Sequence, residues 1–186
     1  MNTFVGFFPD DEVKNKISTV VGGVKEVFKD LGINVRWSEK HKYHVTVLFL
    51  GTRTPAVKLM YYKLMLKKFN FKKFPIRFNS IKLGISRKFR ELIFLDLLEG
   101  GEEMRELYLQ LRNALKTKKD TNFIPHLTLG RVNKDISQQE YINIVKELHA
   151  LTKKLKVNEI TFTVESIDLV KSEKGEYSVQ MSVVAL

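Results

Sequence analysis

Apolar and polar positions divide the chain into short strands alternating with amphipathic helices. Residues 3 to 8 form a β-rich run stopped by Pro9. Asp10 or Asp11 can cap a helix carrying Val13, Ile17, Val20, Val21, Val24, Val27 and Phe28, close to a 3.6-residue spacing, and Gly32 ends it. Gly22-Gly23 within it costs about 1 kcal/mol per glycine against alanine, so a bend is expected there. Strands follow at 33 to 38 and 43 to 50, around a turn near Glu39-Lys40. A helix with Val57, Leu59, Met60, Leu64 and Leu66 then runs to about Phe69. Residues 74 to 85 and 91 to 98 read as a β-hairpin turning at Ser86-Arg87-Lys88-Phe89-Arg90. Gly100-Gly101 opens a one-sided helix with Met104, Leu107, Leu111 and Leu115. A polar loop leads to Phe123-Ile124-Pro125 and another strand, followed by a helix with Ile142, Val145, Leu148 and Leu151. Two strands, 155 to 171 and 176 to 185, close the chain around Lys174-Gly175.

One tetrapeptide pattern stands out. His44-Val45-Thr46-Val47 returns as His126-Leu127-Thr128-Leu129, and these two histidines are half of the four in the chain. Side chains two apart on a strand share a face. Each copy therefore offers an imidazole and a hydroxyl on one face and aliphatics on the other. The aliphatic face pins the strand to a core while the polar face looks into a cleft. The order strand, helix, motif strand, helix repeats in each half, although identity between the halves is confined to the motifs. No linker separates them, so one bilobal domain over residues 1–186 is expected.

Composition narrows the chemistry. The chain has 186 residues, 44% of them hydrophobic and 11% aromatic, which suits a globular protein. It has no cysteine, which excludes disulfides and thiolate nucleophiles. No apolar run approaches the roughly 18 residues of a membrane span, and the first residues carry no basic leader, so a cytoplasmic protein without membrane contact is expected. A net charge of +11 favours a polyanionic partner, nucleic acid before membrane. The basic residues are spread over several elements: Lys67-Lys68, Lys72-Lys73, Arg87-Lys88, Arg90, Lys116, Lys118-Lys119 and Lys153-Lys154. A diffuse positive surface around a cleft fits this better than a docking tail.

A histidine in an apolar run is often a satisfied core residue, and threonine is simply a good strand former. Recurrence of the same face twice weighs against that reading. His41 and His149 lack such context and are expected at the surface. A metal centre is disfavoured because no third ligand or acidic cluster accompanies either motif. Acid–base chemistry on a phosphate fits: one neutral imidazole takes a proton from the nucleophile, and one cationic imidazole gives a proton to the leaving oxygen. Threonine hydroxyls can donate to non-bridging oxygens, and Arg131 can neutralise charge there. Strict alternation points Arg131 away from His126 and Thr128, unless Gly130 marks a bulge.

At these residues the chain resembles the two-histidine (2H) phosphoesterase superfamily, and within it the RNA 2′,3′-cyclic phosphodiesterase branch, also known as 2′-5′ RNA ligase-like. Phe4-Val5-Gly6-Phe7-Phe8-Pro9, Val35-Arg36-Trp37, Phe49-Leu50-Gly51 and Phe123 with Pro125 are similar to that branch. So are Arg131 and the tail Ile167-Asp168-Leu169-Val170-Lys171-Ser172 with Gly175 and Tyr177. Lys42-Tyr43 and Leu48 depart from it and touch the rim. The resemblance implies an α+β fold in which antiparallel sheets meet at a central cleft with helices outside. It implies hydrolysis of a terminal 2′,3′-cyclic phosphate to a 2′-phosphate without metal or cofactor, and 2′-5′ ligation in reverse. By motif position His44 would be the proton donor to the leaving 3′ oxygen and His126 the base that activates water. Thr46, Thr128 and Arg131 would hold the phosphate. The implied partner is RNA with a cyclic phosphate end, tRNA fragments included, met by a monomer. A 2H enzyme acting on a small cyclic nucleotide or a 2′-5′ linkage is one alternative, and a non-catalytic RNA-end-binding protein is another.

Overall fold

The computed structural model describes residues 2–84, 91–117, 123–133 and 135–186. The expected hairpin turn at Ser86 to Arg90 and the basic pair Lys118-Lys119 lie outside the described residues. The first half contributes β1 (Asn2–Phe7), α1 (Asp11–Asp30), β2 (Val35–Trp37), β3 (Val45–Thr52), α2 (Ala56–Leu66) and β4 (Phe74–Leu83). The second contributes β5 (Leu92–Glu99), α3 (Gly101–Ala114), β6 (His126–Val132), α4 (Gln138–Lys154), β7 (Thr161–Val164), β8 (Ser166–Glu173) and β9 (Glu176–Val184). A short 3₁₀ turn, Lys40–Lys42, precedes β3.

The helix ends follow local chemistry. The Asp10 carboxylate accepts from the Val13 N–H at the start of α1. Ser137 and Glu140 form a reciprocal capping box at the start of α4. α1 runs uninterrupted through Gly22-Gly23. A Cβ on Gly23 would stand 2.9 Å from Leu155 Cδ1 and 3.3 Å from Leu151 Cδ1. The glycine thus serves close packing of the last turn of α4 on α1, and the tertiary contact outweighs its poor helix propensity.

All strand pairs are antiparallel, in the order β7-β4-β5-β6-β3-β1-β8-β9, with β2 added to β6. The order reads the same from either end in role. β6 and β3 carry the motifs at the centre, β5 and β1 flank them, and β4 and β8 come next. Strands after the second helix of each half cross over: β4 pairs with β5 and β7 of the other half, and β8 returns to β1. The two halves of the sheet join through one register pair, Val45 opposite Leu127.

One core fills the back of this sheet. Val45, Val47, Leu127 and Leu129 are all buried in it. α1, α3 and α4 bring Ile17, Val24, Met104, Leu111, Ile144 and Leu148 to the same cluster. The expected single strand over 155 to 171 is instead a 3₁₀ turn and two strands parted at Glu165, because β7 extends the β4 side of the sheet while β8 extends the β1 side. Two helix faces also differ from expectation. α4 buries Ile144 and Leu148 with Tyr141 and Leu151 beside them, and leaves Ile142 and Val145 exposed. The true stripe includes an aromatic at its first position, which an aliphatic count passes over. α2 buries Tyr62 and Leu66, and Val57, Met60 and Leu64 face water. No helix among the described residues is long and apolar enough to cross a membrane.

The α4 assignment gives a direct expectation. Leu148→Ala should destabilise by about 2–5 kcal/mol, as for other fully buried leucines. Val145→Ala, at the exposed margin of the same helix, should cost much less, within about 1 kcal/mol. Urea unfolding of the two variants distinguishes them, and equal losses would contradict the face described.

Candidate active site

The antiparallel register at Val45 and Leu127 determines what surrounds each histidine. One residue to either side, His44 stands across from Thr128, and Thr46 across from His126. The four polar side chains thus form a square on the cleft face, histidines on one diagonal and threonines on the other. Both threonines are half-buried, and neither hydroxyl has a protein partner among the described residues. A group held at the centre of the square would meet an imidazole on each of two sides.

The two rings are anchored alike. His44 Nδ1 lies 2.8 Å from the Lys42 carbonyl, and His126 Nδ1 lies 2.7 Å from the Ile124 carbonyl. A carbonyl oxygen can only accept, so Nδ1 carries the proton in both rings and Nε2 is left as the atom that can exchange one. In each motif the anchor is the carbonyl two residues upstream, just outside the strand. Lys42 is itself held in place, its ammonium bridging Glu39 at 2.8 Å and Glu176 at 3.1 Å. On the other side Pro125 stiffens the approach, and Phe123 stacks on Tyr108 with ring centroids 4.7 Å apart.

Their surroundings differ. His44 sits among aromatics: Phe4 at 4.9 Å, Phe8 at 5.7 Å, and Tyr177 edge-on at 5.1 Å. Gly6 makes this cradle possible. It faces Thr46 in the register, and a Cβ there would stand 2.5 Å from the Val45 carbonyl and 3.3 Å from the Phe4 ring, which leans across the vacant position toward His44. His126 meets the edge of Phe94 at 5.4 Å, and Asp96 is its register partner on β5. That carboxylate is occupied by the Ser80 N–H at 2.7 Å and the Ser80 hydroxyl at 2.9 Å.

Both imidazoles are held below their ordinary value of 6.5. Burial is the main cause for each, opposed by the hydrogen bond to the backbone carbonyl. A protonated His126 lowers His44 further, and the Arg131 guanidinium lowers His126. The pair therefore favours holding one proton at a time, which an acid and a base acting together require.

The orientation of Arg131 follows from a bulge. Between β5 and β6 the register passes from Phe94–Thr128 to Ile93–Gly130, leaving Leu129 as the extra residue. Leu129 stays buried, its carbonyl accepts from the Ser38 N–H at 2.8 Å, and Gly130 turns its missing side chain toward Trp37 and Val35. Parity is thereby reversed, and Arg131 shares the face of His126 and Thr128. It is ion-paired with Glu91 at 2.9 Å and remains 43% exposed. Arg36 is its register partner on β2. The same bulge recurs in the first motif, where the register passes from Gly6–Thr46 to Val5–Leu48 and Val47 is extra.

His41 and His149 are exposed as expected. Sequence reasoning missed Gly6, Phe8 and Tyr177 as neighbours of His44, and Arg36 beside Arg131. It also missed a concentration of charge. Between Glu39 and Glu91 lie fourteen Lys and Arg and no Asp or Glu, so one stretch exceeds the whole net charge of +11. Among the described residues no group of three or more His, Asp or Glu is placed to hold a metal ion. A cavity of about 590 Å³ lined by Phe71, Pro75, Glu106, Leu107 and Leu186 contains no motif residue and is not this site.

Known proteins resemble this chain in sequence and in fold. The family model described as the 2′-5′ RNA ligase superfamily matches residues 9–176. A protein of Aquifex aeolicus named RNA 2′,3′-cyclic phosphodiesterase is 29% identical over 139 residues, 71% of this chain and 71% of its own length. One of the same name from Archaeoglobus fulgidus is 29% identical over 152 residues, 79% of this chain and 80% of its own. The crystal structure of E. coli LigT in apo form shares the fold, with a TM-score of 0.70 at 14% identity over 99% of this chain and 96% of that one.

Two expectations arise from the site itself. Gly6→Ala should displace the Phe4 ring and the Val45 carbonyl, lowering turnover on the order of tenfold or more, since sub-ångström misplacement of catalytic groups is costly. Crystallography or NMR of the His44 ring environment would show the displacement, and an unchanged ring with full activity would contradict it. Stability should also depend on pH. Both histidines have lower values folded than unfolded, so the unfolded chain binds more protons just below pH 6.5. Stability should be fully present above about 6.5 and fall as pH drops through that window. Thermal unfolding midpoints of the parent and of His44→Gln check the sign, since the variant should show a shallower fall.

Proposed function

This chain belongs to the 2′-5′ RNA ligase superfamily and is a phosphodiesterase; we propose that it hydrolyses the terminal 2′,3′-cyclic phosphate of RNA to a 2′-phosphate. The observation that carries the reading is the diagonal placement of two identically anchored imidazoles, each beside the other motif's threonine. A cyclic phosphate at the centre would present its non-bridging oxygens to the Thr46 and Thr128 hydroxyls. Arg131, on the same face, adds a fixed positive charge for the developing negative charge on phosphorus.

Neutral His126 accepts a proton at Nε2 from a water molecule as that oxygen bonds to phosphorus. The bond from phosphorus to the 3′ oxygen breaks, and cationic His44 gives its Nε2 proton to that oxygen. The product is a 2′-phosphate with a free 3′ hydroxyl, and the pair has passed one proton across. Arg131 disfavours a positive charge on His126 and burial disfavours one on either ring, so the division of roles rests on motif position. The aromatic cradle around His44 keeps bulk water from the leaving oxygen. If a ribose 5′ hydroxyl attacks in place of water, the same steps join two ends through a 2′-5′ linkage.

The names of the relatives supply the substrate class, and the acid-free stretch between Glu39 and Glu91 supports a polyanion. Two outcomes test the reading. His126→Ala and His44→Ala should each lower turnover on the order of 10²-fold or more. A substrate with sulfur in place of the 3′ oxygen has a leaving group that needs no proton, so it should restore His44→Ala and leave His126→Ala inactive. The opposite pattern would mean the roles are exchanged. RNA affinity should also fall steeply with salt, whereas turnover of a cyclic mononucleotide should respond weakly; equal responses would remove RNA as the substrate.

A further inference from the structure

The two imidazoles are anchored by the same bond but not by the same scaffold. The Ile124 carbonyl that holds His126 is flanked by Pro125 and by Phe123, which stacks on Tyr108. The Lys42 carbonyl that holds His44 belongs to the short 3₁₀ turn Lys40–Lys42, which has no buried residue. Polar and charged side chains fasten this turn. Lys40 Nζ donates to Asn15 Oδ1 of α1 at 2.6 Å. Lys42 Nζ donates to Glu39 at 2.8 Å and lies 3.1 Å from Glu176.

Glu176 comes from a distant part of the chain. It begins β9 and stands opposite Glu173 in the closing pair of the β8–β9 hairpin. Like charges directly opposite on paired strands repel. Each is given a cation, Glu173 by Lys171 at 3.3 Å and Glu176 by Lys42. The next residue is Tyr177, whose ring meets His44 edge-on and Phe4 at 5.7 Å. Lys42 therefore bonds His44 through its carbonyl, and through its ammonium it ties down the hairpin whose tyrosine packs on that ring. Its side chain is 15% exposed, against 62% for Glu39 and 73% for Glu176, so the cation is the enclosed member of the cluster. Hydrogen bonding to Glu39 and then Glu176 raises Lys42 above its usual value, and the bond from Lys42 lowers Glu39. His41 stands by the same two carboxylates at 3.6 and 3.8 Å, beyond ordinary hydrogen-bond length, and adds charge only when protonated.

We infer that Lys42, clamped by Glu39 and Glu176, is a positioning residue for His44: the clamp fixes the carbonyl that selects the tautomer of the ring and the direction of Nε2. The inference rests on the proposed reaction only in taking His44 as the proton donor. Exposed ion pairs add little to stability, so the effect falls on placement and not on folding. If the turn shifts, Nδ1 loses its acceptor and either ring nitrogen can carry the proton. His126 has no ionic clamp of this kind, and its anchor should be indifferent to the same substitutions.

The test uses Lys42→Gln, which removes the cation, Lys42→Arg, which keeps it, and Glu176→Gln, which weakens the link to the hairpin. Adenosine 2′,3′-cyclic phosphate is compared with its analogue bearing sulfur at the 3′ position, whose leaving group needs no proton from His44. Lys42→Gln should lower kcat on the oxygen substrate on the order of tenfold with KM nearly unchanged, and leave the sulfur substrate nearly unaffected. Glu176→Gln should show the same selectivity to a smaller degree, and Lys42→Arg should restore most of the loss. Nitrogen-15 NMR at a pH where the rings are neutral should show His44 protonated at Nδ1 in the parent and as a mixture of tautomers in Lys42→Gln, with His126 unchanged. Equal losses on both substrates, an unchanged kcat, or a His44 ring that keeps its Nδ1 proton in full overturns the inference. If sulfur fails to restore His44→Ala, the assignment of the acid is wrong instead, and the tautomer comparison decides the clamp by itself.

Discussion

Antiparallel register at Val45 and Leu127 ties the two halves of the sheet at a single point, and the alternation of side chains carries that constraint to every residue nearby. With this pair in place, each histidine has the other strand's threonine beside it. A slip by one residue would turn an aliphatic into the cleft and an imidazole into the core. The four buried aliphatics of the motifs are what forbid the slip, since Val45, Val47, Leu127 and Leu129 must all face the back. Placement of the four polar side chains is thus enforced by core packing, and the carbonyl bonds then orient the two rings.

From that point outward, the backbone supplies most of the fine positioning. A carbonyl two residues upstream selects the tautomer of each imidazole. One extra residue per strand re-aims the next outward side chain. Gly6 leaves space through which an aromatic ring reaches His44. The two rings are consequently alike in anchoring and unlike in surroundings, aromatic for His44 and partly cationic for His126. Identical motifs acquire different chemical characters from neighbours that neither motif contains.

The motifs were legible in the sequence because a period of two, repeated in both halves, needs no tertiary information. The α+β class, the helices of each half and the buried side of both motif strands were legible for the same reason. The face of Arg131 was not, because a bulge lies in the pairing between strands; Gly130 was its only trace. The division of the last strands at Glu165 was hidden as well, since both pieces have the same local propensity and differ only in partner. On α2 an apolar count pointed to Val57, Met60 and Leu64, whereas Tyr62 and Leu66 face inward. The use of Gly23 was hidden too, since a contact with α4, distant in sequence, decides it.

The exchange of β4 and β8 between the halves bears on how the protein comes to be folded. β1, formed from the first residues of the chain, waits for β8 to cover one of its edges, and β5 is flanked by a strand made by the preceding half. Most pairings that close the sheet thus join residues far apart in sequence, which makes for high contact order and slow assembly. During synthesis the strand bearing His44 is complete long before its neighbourhood is, and β1 offers an unpaired apolar edge in the interval. Strands from both halves border the cleft, so the square of histidines and threonines exists only where the two halves of the sheet meet.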